Sequence, residues 1–402
     1  MKQILKIIVI LLFFVHESQG INIDESNSSQ NQFIDDFAEI NNIIKKRYSH
    51  LENKQIDADS LFRVYSEHIQ AAKTKEEYYY LLLAYFAELK NGHTRLHYSP
   101  SYYLSCIVKL VENRIFIDNI DNSLADMDIN IKDEILAVDG IPVLKWINQQ
   151  QKLVSESTEE AIFNNAAKQI FSDYSGGVRT LLLNTPTGEK EVSFTFEKNR
   201  RYVPTPAYKV TSSVINDSIG YICIYSMTGN VVSEFIAEFE NLRTKPFLII
   251  DLRYNGGGNS GYSEKITKYL IREKQKASVS RFNLKPKSNH YKGKLVVLTG
   301  INTFSAAESF AIDLMESGNA ILIGSETRGD TGNRPKQFKT KQGTSFQIPT
   351  RKPPQVSPKG FPMEGIGIKP HFTINQTVED YLNDVDTVLE FAKIKFLEMI
   401  CN

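Results

Sequence analysis

The chain has 402 residues, 41% of them hydrophobic, and its 47 Lys and Arg balance 47 Asp and Glu to a formal net charge of zero. That composition excludes a chiefly disordered chain, and the length allows two or three domains. No basic block stands out, so a nucleic-acid partner has no electrostatic footprint here.

Residues 1–20 read as a targeting segment. Lys2 and Lys6 supply a positive start, residues 7–15 are apolar, and Ser18 and Gly20 stand where a signal peptidase reads small side chains. Cleavage is expected after Gly20, the alternative being an uncleaved anchor. The run is short for a transmembrane helix, and no later segment is apolar enough to span a bilayer. The mature chain is therefore expected to be exported, periplasmic or extracellular. The three cysteines, Cys106, Cys223 and Cys401, are neither a disulfide framework nor spaced for zinc. Cys106 and Cys223 lie in apolar stretches, as buried small hydrophobes do.

Residues 21–32 are polar and read as a flexible leader. From Phe33 the spacing turns helical, with Phe33, Phe37, Ile40 and Ile44 on one face. Helices over 60–71 and 75–89 complete a helical domain, residues 33–100, and Asn91-Gly92 ends the last helix. His93 follows in a loop, as Gly92-His93-Thr94. A lone histidine is usually structural, yet one just past a helix end is well placed to reach a site, and both readings stand.

Residues 101–200 turn strand-like, over 107–111 and 115–117 and in a strand and hairpin turn at 131–143. A helix over 158–170 starts at Thr158, and a hairpin turns at Thr187-Gly188 into alternating Val192, Phe194 and Phe196. This is a compact β-rich module, followed by a charged, Pro-containing linker at 199–206.

Residues 207–400 alternate strand and helix, an α/β pattern. A strand at 219–224 precedes a helix at 231–242. Phe247-Leu248-Ile249-Ile250 is a buried, parallel-type strand running into Asn255-Gly256-Gly257-Gly258, with a helix to about residue 271. Gly256, Gly258 and Gly261 match the dinucleotide spacing, but five residues separate the strand from the first glycine, and close backbone approach to a ligand is the favoured reading. The strand at 295–298 hands over to a helix at Ser305, where free N–H groups and the helix dipole suit an anion beside the hydroxyl. The alternative is a helix cap, since Glu308 three residues on completes a capping box. A strand at 320–323, a Pro-rich loop at 349–358 and a closing helix at 377–399, with Val385, Val388, Leu389 and Ala392 inward, complete the chain. Glu364, set among apolar and glycine residues, calls for a partner.

Three stretches together, residues 247–258, Thr303-Phe-Ser-Ala-Ala-Glu308 and Glu364-Gly-Ile-Gly-Ile-Lys-Pro370, resemble in order and spacing the core of the S41 family of serine peptidases. Residues 131–143 are similar to the PDZ-like module many members carry. The resemblance implies an α/β core of ClpP/crotonase type behind a helical domain and a PDZ-like module. The processing-protease branch has a catalytic Lys in a Phe-Gly-Lys-Gly turn; here that turn reads Thr327-Arg328-Gly329-Asp330. Gly92-His93-Thr94 and Glu364 instead match the tricorn-type Ser–His–Glu branch. Carried over, Ser305 is the nucleophile, His93 the general base and acid, and Glu364 the far member of the relay. The N–H of Ala306, with one from Gly256 or Gly257, forms the oxyanion hole. No cofactor or metal is implied, and the partner is a peptide or unfolded protein. The chain departs from the pattern at Gly92, where tricorn has Ser, and at Lys132, where the module commonly has Gly. It also has no Gly-rich carboxylate-binding loop near 102–106. The competing reading is a non-catalytic ligand- or peptide-binding protein on the same scaffold. Acyl-thioester chemistry is a third, against which the export signal argues.

Overall fold

The computed structural model describes residues 23–198, 206–352 and 354–401. The targeting segment and most of the expected linker lie outside the described residues. Among the described residues no helix is long and apolar enough to cross a membrane, and no group of His, Cys, Asp or Glu is placed to hold a metal ion.

The chain packs around three main apolar clusters. In the first, helices Ile23–Arg47, Ala58–Ala71 and Lys75–Ala87 bury Phe37, Ile40, Ile44, Leu82, Tyr85 and Phe86. Each such fully buried side chain contributes on the order of 1.5–3 kcal/mol. The first helix corrects the expected leader. It begins at Ile23, because a polar run without Pro or Gly offers nothing to interrupt a helix that the apolar face downstream has already set.

This helical cluster is closed by residues from far along the chain. Strand Arg95–Leu96 pairs antiparallel with Ser345–Pro349, which pairs with Pro335–Lys339. Phe346 and Ile348 enter the helical core beside Leu96. The ladder ties the segment after His93 to the hairpin that follows the Ser305 helix, and Gln347 Nε2 donates to the His93 carbonyl at 3.0 Å.

The second cluster fills an antiparallel sheet built within residues 102–198 and covered by helices Val143–Gln150 and Glu159–Ala167. Thr158 caps the second of these, accepting from the Ala161 N–H at 3.3 Å. Lys132 sits at φ +74°, a conformation in which glycine is at ease. Its ammonium meets Asp384 at 2.7 Å and so ties the module to the C-terminal segment.

The third region is a six-stranded sheet whose strands add in chain order: Val210–Val214, Ile219–Ile224, Phe247–Asp251, Lys294–Thr299, Ala320–Gly324 and Phe372–Thr373. The first pair is antiparallel and the rest are parallel. Helices Val231–Leu242, Ser260–Leu270 and Ala306–Glu316 share one apolar cluster on one face. Right-handed crossovers that keep to one face move each new strand in the same direction, which accounts for the order. The other face is covered by the last helix, through Val388, Ala392 and Phe396.

The expected closing helix is two, Val378–Leu382 and Thr387–Cys401. Asp384 at φ +60° breaks it, and Val385, expected inward, is exposed. Cys106 and Cys223 are buried free thiols.

Candidate active site

Ser305 ends a turn between the strand Lys294–Thr299 and the helix Ala306–Glu316, at φ +57° and ψ −114°. A non-glycine residue there costs about 1–3 kcal/mol and persists only where its surroundings over-determine it. They do. The Thr303 hydroxyl donates to the Leu252 carbonyl at 2.8 Å, and Phe304 N–H to the Asn255 carbonyl at 3.0 Å. Ser305 N–H donates to Glu308 Oε2 at 2.9 Å. Glu308 is fully buried and also accepts from Thr327 Oγ1 and from the N–H groups of Gly329 and Asp330. Burial pushes its carboxyl above the usual range despite these donors. The expected capping box is present, and its Glu308 carboxyl also fixes the turn and the 327–330 loop together.

Gly257 allows the turn to close. At φ +87°, a Cβ there would lie 2.5 Å from the Phe304 carbonyl oxygen and 2.8 Å from Ser305 Cβ. Its own N–H is taken by Asn255 Oδ1 at 2.9 Å. The N–H of Gly257, one of the two glycines expected as an oxyanion donor, is thus engaged. Ala306 opens its helix, where no intrahelical acceptor exists.

His93 Nε2 lies 3.0 Å from Ser305 Oγ, 212 residues apart in the chain. The imidazole stacks on Phe304 with ring centres 4.5 Å apart, and the Arg328 guanidinium lies 4.3 Å from the centre of the Phe304 ring. Burial pulls the His93 pKa down to about 4; the Glu364 charge opposes this and Arg328 adds to it. The ring is therefore neutral at pH 7. Among the described residues its Nδ1 is buried without a hydrogen-bond partner.

Glu364 does not bond to the imidazole. It lies beyond Asn91, whose side-chain amide donates to Glu364 Oε1 and to Asp330 Oδ1, each at 2.8 Å. Asn91 Oδ1 accepts the His93 N–H at 2.8 Å. Lys54 Nζ pairs with Glu364 Oε1 at 2.8 Å, and Asn333 donates to Glu364 Oε2 at 2.6 Å. Burial pushes the Glu364 carboxyl up, but Lys54 and His50 outweigh it, and the net shift is downward. Asp330, fully buried, accepts from the Gly92 N–H at 3.1 Å and from Ser157 Oγ at 2.6 Å. Burial, then the Glu364 charge, holds it well above the usual carboxylate range.

Asn91, Asp330, Lys54 and His50 were not singled out from the sequence as site residues. Asn91 read only as a helix stop, and Asp330 only as part of a turn lacking the processing-branch Lys. Lys54 and His50 carry no local signal. Arg328 also reaches the β-rich module, pairing through Nε with Glu156 Oε2 at 2.7 Å.

Two hollows adjoin the site. One, of about 430 Å³, is lined by Ser305, Ala306, Gly258 and Arg334 among others. The other, of about 1480 Å³, runs between the helical cluster, the module and the sheet, with Gly256, Tyr254 and Arg328 on its wall.

Residues 218–374 match the model of Peptidase family S41, and residues 110–196 match that of the Bacteroidetes S41-family N-terminal domain. The chain belongs to peptidase family S41. This S41 member is 22% identical over 403 residues to Tricorn protease of Thermoplasma volcanium, covering 94% of this chain and 38% of that protein. It is 27% identical over 242 residues to Tricorn protease of Thermoplasma acidophilum, covering 59% of this chain and 22% of that one. The chain thus spans well under half the length of these curated relatives. Among solved structures, mature CPAF complexed with lactacystin aligns with a TM-score of 0.79 at 14% identity, over 92% of this chain and 98% of that one. The tricorn protease crystal structure aligns with a TM-score of 0.54 at 19% identity, over 93% of this chain and 37% of that one. At these identities the structural likeness is one of fold.

Proposed function

We propose that the chain is an exported serine peptidase that cleaves peptide bonds through an acyl-enzyme on Ser305. The observation that carries the reading is the 3.0 Å approach of a neutral His93 Nε2 to a serine hydroxyl on a strained turn at a helix start. His93 takes the Ser305 proton as Oγ attacks the substrate carbonyl. The oxyanion forms against the N–H groups of Ala306 and Gly256, each such donor being worth about 10²–10³ in rate. The imidazolium then gives its proton to the leaving amine, and a water deprotonated by His93 resolves the ester. Glu364 bears a charge that favours the imidazolium, while Asn91 holds the His93 backbone.

On this reading residues 207–400 form a peptidase core of ClpP/crotonase type, residues 101–200 a PDZ-like module and residues 33–100 a helical domain. The substrate is a peptide or an unfolded protein. The signal-peptide reading of residues 1–20 supports export.

Fluorophosphonate labelling of the purified chain tests the reading, beside Ser305→Ala and His93→Ala. Labelling that needs both residues is the expected result. A folded chain that takes no label favours the binding-protein alternative. Labelling that survives His93→Ala assigns the base elsewhere.

A further inference from the structure

The hollow of about 430 Å³ opens directly on Ser305 and Ala306. A group bound there is a near neighbour of the scissile bond. Its wall carries one charged side chain, Arg334, and no carboxylate.

The backbone of Arg334 is held on both sides. Asn333, immediately before, is buried and donates to Glu364 Oε2 at 2.6 Å. Pro335, immediately after, opens the strand Pro335–Lys339, and the Arg334 carbonyl accepts the Thr350 N–H at 3.4 Å. The Arg334 side chain is exposed, and no ion pair engages it among the described residues. Across the hollow, Asn259 Oδ1 is used in capping its helix, accepting from the Gly261 N–H at 2.9 Å, and this leaves its amide donors. Gly258, at φ +142°, adds no side chain, and Val279 supplies an apolar patch. A small cavity with a guanidinium, an amide donor and no acidic group complements a carboxylate. It repels an ammonium.

Building on the peptidase reading, we propose that this cavity is a specificity pocket in which Arg334 receives a substrate carboxylate next to the scissile bond. That carboxylate is an Asp or Glu side chain, or the C-terminal carboxylate of a short peptide.

The test uses the full chain and matched quenched-fluorescence peptides with Glu or Gln at each position flanking the bond cut. Each peptide is made with a free or an amidated C-terminus. The expected result is about a tenfold higher kcat/KM for the acid, carried mainly by KM. The preference is lost in Arg334→Gln, largely kept in Arg334→Lys and reversed toward the Gln peptides in Arg334→Glu. Hydrolysis of the Gln peptides changes much less than that of the acids. A preference that vanishes on amidation assigns the carboxylate to the C-terminus; one that persists assigns it to the side chain. Binding of the same peptides to Ser305→Ala, followed by anisotropy, separates the two readings. Cleavage without acid preference, or a preference that survives Arg334→Gln, overturns the pocket and leaves the peptidase. Arg334-dependent binding of the acid without any cleavage by the wild type overturns the peptidase and leaves the pocket. Neither cleavage nor acid-dependent binding overturns both.

Discussion

Asn91 and Asp330 lie 239 residues apart and meet through one hydrogen bond of 2.8 Å, from the Asn91 amide to the Asp330 carboxyl. The other donor of the same amide goes to Glu364, and its oxygen takes the His93 N–H. One asparagine thus joins the backbone of the base to two buried acids. Replacing Asp330 with Ala leaves one donor of the Asn91 amide and the Gly92 N–H short of an acceptor, while the Ser157 hydroxyl keeps the Lys90 carbonyl at 3.0 Å. A loss of about 2–4 kcal/mol in stability is expected, with Asp330→Asn milder because it keeps one oxygen. Chemical denaturation of both variants measures the first effect. A fall in kcat larger than any rise in KM marks the misplaced histidine.

On the proposed assignment His93 governs the acid limb of activity. A base must be deprotonated to act, and its pKa is pulled down to about 4 by burial. The kcat/KM profile is therefore expected to hold as pH falls through the ordinary histidine range and to drop only near pH 4. Glu364 raises the His93 pKa. Glu364→Gln thus moves the limb further down in pH while lowering kcat, since the imidazolium loses its counter-charge. A pH–rate series on the two proteins checks both signs. An upward move of the limb in Glu364→Gln contradicts the assignment.

Gly257→Ala puts a methyl group 2.5 Å from the Phe304 carbonyl oxygen at a backbone angle that disfavours any side chain. The expected cost is about 2–4 kcal/mol. The relief available is a shift of the Ser305 turn, so the rate of fluorophosphonate labelling is expected to fall more than the melting temperature implies. Gly256→Ala is the contrast for stability alone, because nothing lies within 4 Å of a Cβ built there.

Arg328→Met removes the cationic partner of Glu156, which is 5% exposed in its side chain, and leaves it the Asn165 amide at 2.8 Å. An uncompensated buried carboxylate costs about 3–5 kcal/mol. Arg328 also covers the Phe304 ring on which His93 stacks. The double change with Glu156→Gln is expected to recover most of the stability and little of the rate, which separates support of the fold from support of the ring.

Ser305 and His93 were legible because each carries a local signal: a strand-to-helix junction for one, a loop past a helix stop for the other. The order of the three stretches did the rest. Asn91, Asp330 and Lys54 were not legible, since their chemistry comes from partners hundreds of residues away. The hairpin over Pro335–Pro349 escaped notice for a different reason. Its first strand is Pro-Lys-Gln-Phe-Lys, mostly exposed and without alternation, so only its pairing with Ser345–Pro349 makes it a strand. The helix Val143–Gln150 is short, follows Pro142 and has no side-chain cap to announce it. At the C-terminal end, the break at Asp384 shows a left-handed residue overriding an otherwise continuous apolar spacing.

The ladder from Arg95–Leu96 to Ser345–Pro349 gives the enzyme an order of assembly. A ribosome that has made Ser305 has already made His93, yet the strand that holds the histidine arm is still to come. During synthesis the nascent chain therefore carries both proposed reacting groups without the means to align them. Closing a loop of this span is among the slower events of folding. On the proposed mechanism hydrolytic competence waits for Ser345–Pro349, so a polypeptide halted before that strand is a harmless one to its neighbours and to itself.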